Sequence, residues 1–193
     1  MPDDALAARL APSCHEPDAF ADVVRTLSPP LHAYLARRAG ADADDLLAET
    51  WLRAYAARRT FDPARGSVRV WSFGVARHVL LAHWRRVVDL PHDTAEHEET
   101  SDPWPDVDDR LAAAAVAPAL RAAIADLPVV ERELLLLVAW EGLTPTEAAA
   151  VVGVPAPTAR TRLFRARQRI RERLEATTQV GVVASDPTRG VSS

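Results

Sequence analysis

The stretch "PTARTRLFRARQRIRERL", from Pro157 to Leu174, carries an arginine at nearly every second position. Arginine binds through a planar fork of donors that matches phosphates and guanine edges. The alternation suits a strand, but the apolar residues have a different period. At about 100° per residue, Ala159, Leu163, Ala166, Ile170 and Leu174 fall on one narrow helical stripe. Arg160, Thr161, Phe164, Arg165 and Gln168 lie opposite it. Three readings of that outer face compete. One is a plain solvated basic face, and a second is a membrane-surface helix, for which the apolar stripe is too narrow. The third is a recognition helix in the major groove of DNA, with arginine on guanine or phosphate and phenylalanine on a thymine methyl. An exposed phenylalanine is costly surface unless something covers it, and this favours the third.

Bond-making chemistry finds no comparable constellation. Serine, histidine and aspartate occur, but no nucleophile motif, no glycine-rich phosphate loop and no HExxH pattern. His78 and His83 stand five apart, so on a helix they do not share a face as two metal ligands would. Cys14 is the single cysteine, which excludes an internal disulfide and a cysteine-rich zinc site. No metal and no cofactor are expected, and the chain is read as a non-enzyme.

A recognition helix needs a scaffold, and the preceding residues supply one. "TPTEAAAVVG" leads through "GVPAP" into the arginine-rich segment, which is the helix-turn-helix pattern. Thr144 with Glu147 three residues later marks a capping box at its start. Further upstream, "RLAAAAVAPALRAAIADL" and "PVVERELLLLVAWEG" read as helices, with Pro128 suited to a first helical position. The N-terminal part is also helical. "DAFADVVRTL" and "LHAYLARRAG" are separated by Pro29-Pro30, which should interrupt or kink a helix. "DADDLLAETWLRAYAARR" has its carboxylates in the first turn, where the helix dipole favours them. Leu46, Leu47, Thr50, Trp51, Ala54 and Tyr55 recur on it at helical spacing. A Pro/Gly loop, "TFDPARGS", precedes the long helical stretch "VRVWSFGVARHVLLAHWRR".

Between the two parts the composition changes. From Val88 to Arg110 there are nine acidic residues against one arginine, with three prolines and few apolar groups. This reads as a linker without a packed core. The expected organisation is all-α: two small helical domains at residues 18–87 and 110–176, joined by an acidic flexible linker at 88–109. Flexible segments are expected at residues 1–17 and 177–193.

The overall charge of −4 announces no global basic field. Lysine and asparagine are absent and isoleucine occurs twice, as a bias against AT-rich codons would produce. Every basic contact must therefore come from arginine. "LAPSC" near the start resembles a lipoprotein cleavage site only faintly, lacking a basic leader and a long apolar run. No apolar stretch approaches the roughly 20 residues of a membrane span, so a soluble cytoplasmic protein is expected.

"LPVVERELLLLVAWEGLTPTEAAAVVGVPAPTARTRLFRARQRIRERL" resembles region 4 of bacterial sigma factors of the extracytoplasmic-function (ECF) class. "DADDLLAETWLRAY" and "FDPARGSVRVWSFGVARHVLLAHWRR" resemble successive parts of region 2. The resemblance implies a dissociable promoter-specificity subunit of RNA polymerase, nucleoid-associated when active. Its implied partners are core polymerase, through the clamp and flap regions, promoter DNA and an anti-sigma factor. It implies core-polymerase binding for Asp44, Asp45, Leu46, Glu49, Thr50 and Arg53. It implies contact with the −10 element for Phe61, Arg65, Ser67, Trp71, Arg77, His78, Arg85 and Arg86. Arg160, Thr161, Phe164, Arg165 and Gln168 would then meet the −35 element, and four of them also match the family's contact positions. His78 and Ala82 replace an asparagine and an aspartate usual in the family, which bears on −10 sequence preference. The acidic linker would thread a basic channel of polymerase and, in the free protein, could screen the region 4 arginines. The alternative is a stand-alone helix-turn-helix regulator, which leaves the region 2 motifs unexplained.

Overall fold

A computed structural model describes residues 17–89 and 117–183. Every element among them is helical, in agreement with the all-α expectation. The acidic linker lies outside the described residues, apart from the end of the helix that enters it.

The first bundle is built from α1 (Pro17–Ala39), α2 (Ala43–Ala57) and α3 (Val68–Asp89). Pro29 and Pro30 do not end α1, contrary to the expectation from proline chemistry. An interior proline costs about 3 kcal/mol or more, so something must offset it. Phe20, Val23, Leu27, Leu31, Tyr34 and Leu35 are all buried in one helical register that runs straight through the prolines. Each large apolar side chain removed from water contributes about 1.5–3 kcal/mol. The packed face therefore outweighs the prolines. Hydroxyls on the preceding turn bond back to the helix, from Thr26 to the Asp22 carbonyl (2.8 Å) and from Ser28 to that of Val24 (2.7 Å).

In α2 the buried residues are Ala43, Leu46, Thr50 and Ala54, one stripe at i, i+3/i+4 spacing. Two short 3-10 turns, Arg58–Thr60 and Pro63–Arg65, carry the chain from α2 to α3. Asp62 shapes this loop by accepting from the Ala64 amide (2.9 Å), and Ser67 accepts from the Val70 amide (3.2 Å) at the start of α3.

The second bundle comprises α4 (Ala117–Ala125), α5 (Val129–Ala139), α6 (Pro145–Val152) and α7 (Ala156–Val183). Thr144 and Glu147 form the expected capping box at α6, with reciprocal bonds of 3.3 and 2.7 Å. Gly153 ends α6 in the left-handed region at φ 80°, a conformation glycine adopts without the Cβ penalty. The turn then delivers α7 across α6. Pro128 sits just before the first turn of α5, its carbonyl accepting from the Arg132 amide (2.9 Å). α7 runs on to Val183, past the domain end expected at residue 176. Nothing between Pro157 and Gly181 interrupts helical geometry, since that stretch holds neither proline nor glycine.

The two bundles pack against each other, with α6 against α3. Buried residues of both, from Val23 and Phe73 to Leu134 and Ala148, belong to one contiguous cluster. Reading the linker composition alone would leave the bundles as separate bodies.

Candidate functional site

Three surfaces carry the candidate residues. The first is the outer face of α2. Asp44, Asp45 and Arg53 are exposed there and Glu49 is partly so, while Leu46 and Thr50 are buried. The expectation that Leu46 and Thr50 contact a partner is thus corrected. The Thr50 hydroxyl donates to the Leu46 carbonyl (2.7 Å), and both side chains help seat α2 on its neighbours. Glu49 pairs with Arg53 on its own helix and with Arg86 of α3 (3.4 Å). Asp44 lies 3.2 Å from His32 of α1. Sequence reasoning missed Leu52, which is 73% exposed on this face. Tyr55, placed on the apolar stripe from its spacing, is also exposed; its ring packs edge-on against Phe20 (5.2 Å) and under Arg58 (3.9 Å). A bare leucine beside charged groups could have been found by projecting α2 on a helical wheel, since it falls opposite Leu46 and Thr50.

The second surface is a cleft of roughly 440 Å³ between the loop and α3. Phe61, Arg65, Ser67, Trp71 and His78 line it, together with Ala150 from α6. Phe61 is buried rather than presented as a platform, packed edge-on against Trp71 at 5.8 Å. Trp71 is only partly buried and stands as the aromatic wall, and Phe73 is core. Arg65 is exposed. Ser67 is engaged at the helix start, as described above. His78 is exposed, its Nδ1 donating to the Gly74 carbonyl (2.7 Å). Arg85 and Arg86 are exposed further along α3.

Arg77 departs from expectation most. It is turned toward the second bundle, where its Nε donates to Glu133 (3.1 Å) with only 17% of the side chain exposed. Tyr34 donates to the same carboxylate (3.2 Å). Burial pushes the Tyr34 phenol far above its ordinary pKa, so it stays a donor.

The third surface is α7. Ala159, Leu163 and Ala166 are buried and Ile170 and Leu174 partly so, which is the stripe expected from the helical period. Arg160, Thr161, Phe164, Arg165 and Gln168 are all exposed, Phe164 to 68%. The arginines of α7 divide by role. Arg169 pairs with the buried Glu131 of α5, and Arg173 lies 3.3 Å from Asp126, so these brace the bundle. Arg160 and Arg165 stay on the outward face, with Arg160 reaching Thr146 (3.4 Å). The structure thus brings the five candidate residues of this helix together on a single surface.

No group of three His, Cys, Asp or Glu side chains placed to hold a metal occurs among the described residues. No helix among them is long and apolar enough to cross a membrane.

Comparison with known proteins agrees with this arrangement. The family model for sigma-70 region 2 matches residues 23–88, and that for sigma-70 region 4 matches residues 118–170. The chain is 34% identical to the ECF RNA polymerase sigma factor SigF of Caulobacter vibrioides, over 81% of this chain and 86% of that protein. It is 42% identical to the ECF RNA polymerase sigma factor SigC of Mycobacterium tuberculosis, over 65% of this chain and 66% of that protein. Among solved structures it resembles CnrH, in complex with the cytosolic domain of CnrY, at a TM-score of 0.60 and 23% identity. That likeness covers 90% of this chain and 97% of the other. It also resembles the sigma factor RpoE bound to the anti-sigma factor NepR from Bartonella quintana, at a TM-score of 0.57 and 21% identity. Here 81% of this chain and 96% of the other are covered. Region 2 on the first bundle, region 4 on the second and a relative of the same class matched over most of its length leave one conclusion: the chain belongs to the extracytoplasmic-function sigma factors of RNA polymerase.

Proposed function

We propose that this chain docks on core RNA polymerase, directs it to a set of promoters and starts promoter melting. The exposed α7 face carries the reading: an apolar ring held in water between arginines and a threonine makes physical sense when a duplex covers it. Core polymerase would be engaged through Asp44, Asp45, Glu49 and Arg53, with Leu52 and Tyr55 as added apolar anchors. Leu46 and Thr50 hold that helix in place. Duplex −35 DNA would be read by Arg160, Thr161, Phe164, Arg165 and Gln168. The cleft walled by Trp71, with Arg65, Ser67 and His78 at its rim, would take an unstacked base of the −10 strand, and Phe61 supports it from beneath. Arg85 and Arg86 would meet the adjacent phosphates, and Arg77 would join them once released from Glu133.

The order of events follows from this chemistry. Docking positions the two bundles, α7 selects duplex sequence, and capture of flipped bases shifts the local equilibrium toward an open bubble. The chain makes and breaks no bond in these steps; polymerase does. The working place is the cytoplasm, at the nucleoid when active, and an anti-sigma factor is the expected antagonist. The domain limits proposed for these roles are residues 18–87 and 110–176, with residues 88–109 as the connecting acidic segment.

Run-off transcription from genomic fragments, with core polymerase from a high-GC bacterium, tests the reading. Specific transcripts are expected that vanish with Arg165→Ala, and Leu52→Glu should weaken core binding without unfolding the chain. Neither transcription nor core binding would reduce the protein to a plain DNA-binding regulator.

A further inference from the structure

Seven arginines lie on α7 between residues 160 and 174, and the structure gives them different duties. Arg169 and Arg173 brace the bundle through Glu131 and Asp126, and Arg162 is half-buried toward the packed side. Arg160 and Arg165 flank Phe164 on the reading face. Two remain. Arg167 and Arg171 are exposed, and among the described residues no carboxylate pairs with either. At about 100° per residue, Arg160, Phe164, Arg167 and Arg171 fall within about 60° of one another, as a single row along the helix. The other edge of the reading face differs in its distal half. There Gln168 donates to Glu172 (2.9 Å), and Glu172 is itself exposed. A polyanion laid along α7 is therefore drawn to one edge and repelled from the other. Glu175, exposed one turn beyond Arg171, ends the row.

Distance along the axis decides what each arginine of the row can meet. With a rise of about 1.5 Å per residue, Arg167 stands about 10 Å beyond Arg160, and Arg171 about 16 Å beyond it. The major groove is about 12 Å wide, and a recognition helix reads base edges with its N-terminal residues. With Arg160 and Phe164 on bases, Arg167 reaches the groove wall and Arg171 has passed it. Both then face backbone phosphates. We propose that Arg167 and Arg171 clamp the phosphate strand beside the −35 element, fixing the depth and tilt of α7 without reading sequence. This rests on the proposed function. It adds two DNA-binding residues and a path for the duplex, over the arginine edge of α7 and away from Glu172.

The full chain assembled with core polymerase tests this on a duplex spanning only the −35 segment of a promoter found by run-off transcription. Binding is followed by fluorescence anisotropy across a salt titration. Arg167→Gln and Arg171→Gln change exposed positions and keep helix propensity. Each should weaken binding about five- to tenfold near about 0.1 M salt and lower the slope of log K against log salt by about 0.9, as the loss of one phosphate contact does. The same loss is expected on duplexes with a changed base, so discrimination between sequences stays as it was. Phe164→Ala should instead narrow that discrimination. Glu172→Gln should leave the slope unchanged, and ethylation interference should lose one sensitive phosphate in Arg171→Gln. An unchanged slope in either arginine variant would overturn the clamp, as would a loss confined to the preferred sequence. So would an equal change in slope with Glu172→Gln, because a general field and not a contact would then be acting. If Phe164→Ala weakens binding while the arginine variants do not, the proposed function stands and the clamp falls. If run-off transcription yields no promoter, the function itself fails and the clamp with it.

Discussion

Leu163 and Phe164 are neighbours in sequence with opposite fates, and this gives a sharp test of the α7 assignment. Leu163 is 2% exposed and Phe164 is 68% exposed. Truncating a fully packed leucine removes its transfer energy and leaves a cavity, so Leu163→Ala should cost about 2–5 kcal/mol. For a chain of this size that corresponds to a fall in Tm of roughly 4–20 °C. Phe164→Ala removes no packed contact and should leave stability within about 0.5 kcal/mol. Its effect belongs in DNA binding instead. Covering an aromatic edge against a thymine methyl contributes about 1–2 kcal/mol, so affinity should fall about five- to thirtyfold. Thermal unfolding by circular dichroism reads the first quantity. Fluorescence anisotropy, with a duplex recovered by selection from random sequence, reads the second at fixed salt. If Phe164→Ala lowered Tm as far as Leu163→Ala, or left duplex affinity unchanged, the division of α7 into a packed and a reading face would be wrong.

Two further outcomes follow from local geometry. Thr144→Ala breaks the capping box at α6 and should cost about 1 kcal/mol, seen as a lower urea midpoint with an unchanged m-value. Tyr34 has its pKa raised by burial, so the stability it contributes is complete below about pH 10, the unfolded value. That contribution is lost as pH climbs toward the folded pKa. Urea titrations from pH 8 to 11.5 should show Tyr34→Phe with a shallower alkaline decline than the unmodified chain; parallel declines would contradict the assignment.

Much of the local architecture was legible before any coordinates, because it depends on neighbours three or four residues apart. The two faces of α7, the capping box and the turn at Gly153 all follow from helical period and backbone preference. The same reasoning failed at Pro29-Pro30. A local penalty of a few kcal/mol was outweighed by a buried face whose extent depends on α2 and α3. For Leu46 and Thr50 the helical spacing pointed to the buried face they occupy, and it was the family resemblance that gave them, and Phe61, contact roles that their burial does not fit. A motif says which residues recur together, whereas burial says which of them a partner can reach.

What the sequence by itself determined, then, is the set of helices, their amphipathic stripes and the resemblance that named their roles. Only the tertiary structure decided which arginines are free and which are spent on structure. In "PVVERELLLLVAWEG", nothing in the spacing marks Glu131, Glu133 and Glu141 for burial. All three are buried. Their partners come from far along the chain, Arg37 being 104 residues from Glu141 and Tyr34 being 99 from Glu133. No periodicity spans such distances. A carboxylate can be buried only where a cation or donor meets it, and that meeting exists only once α5 has been laid against α1 and α3.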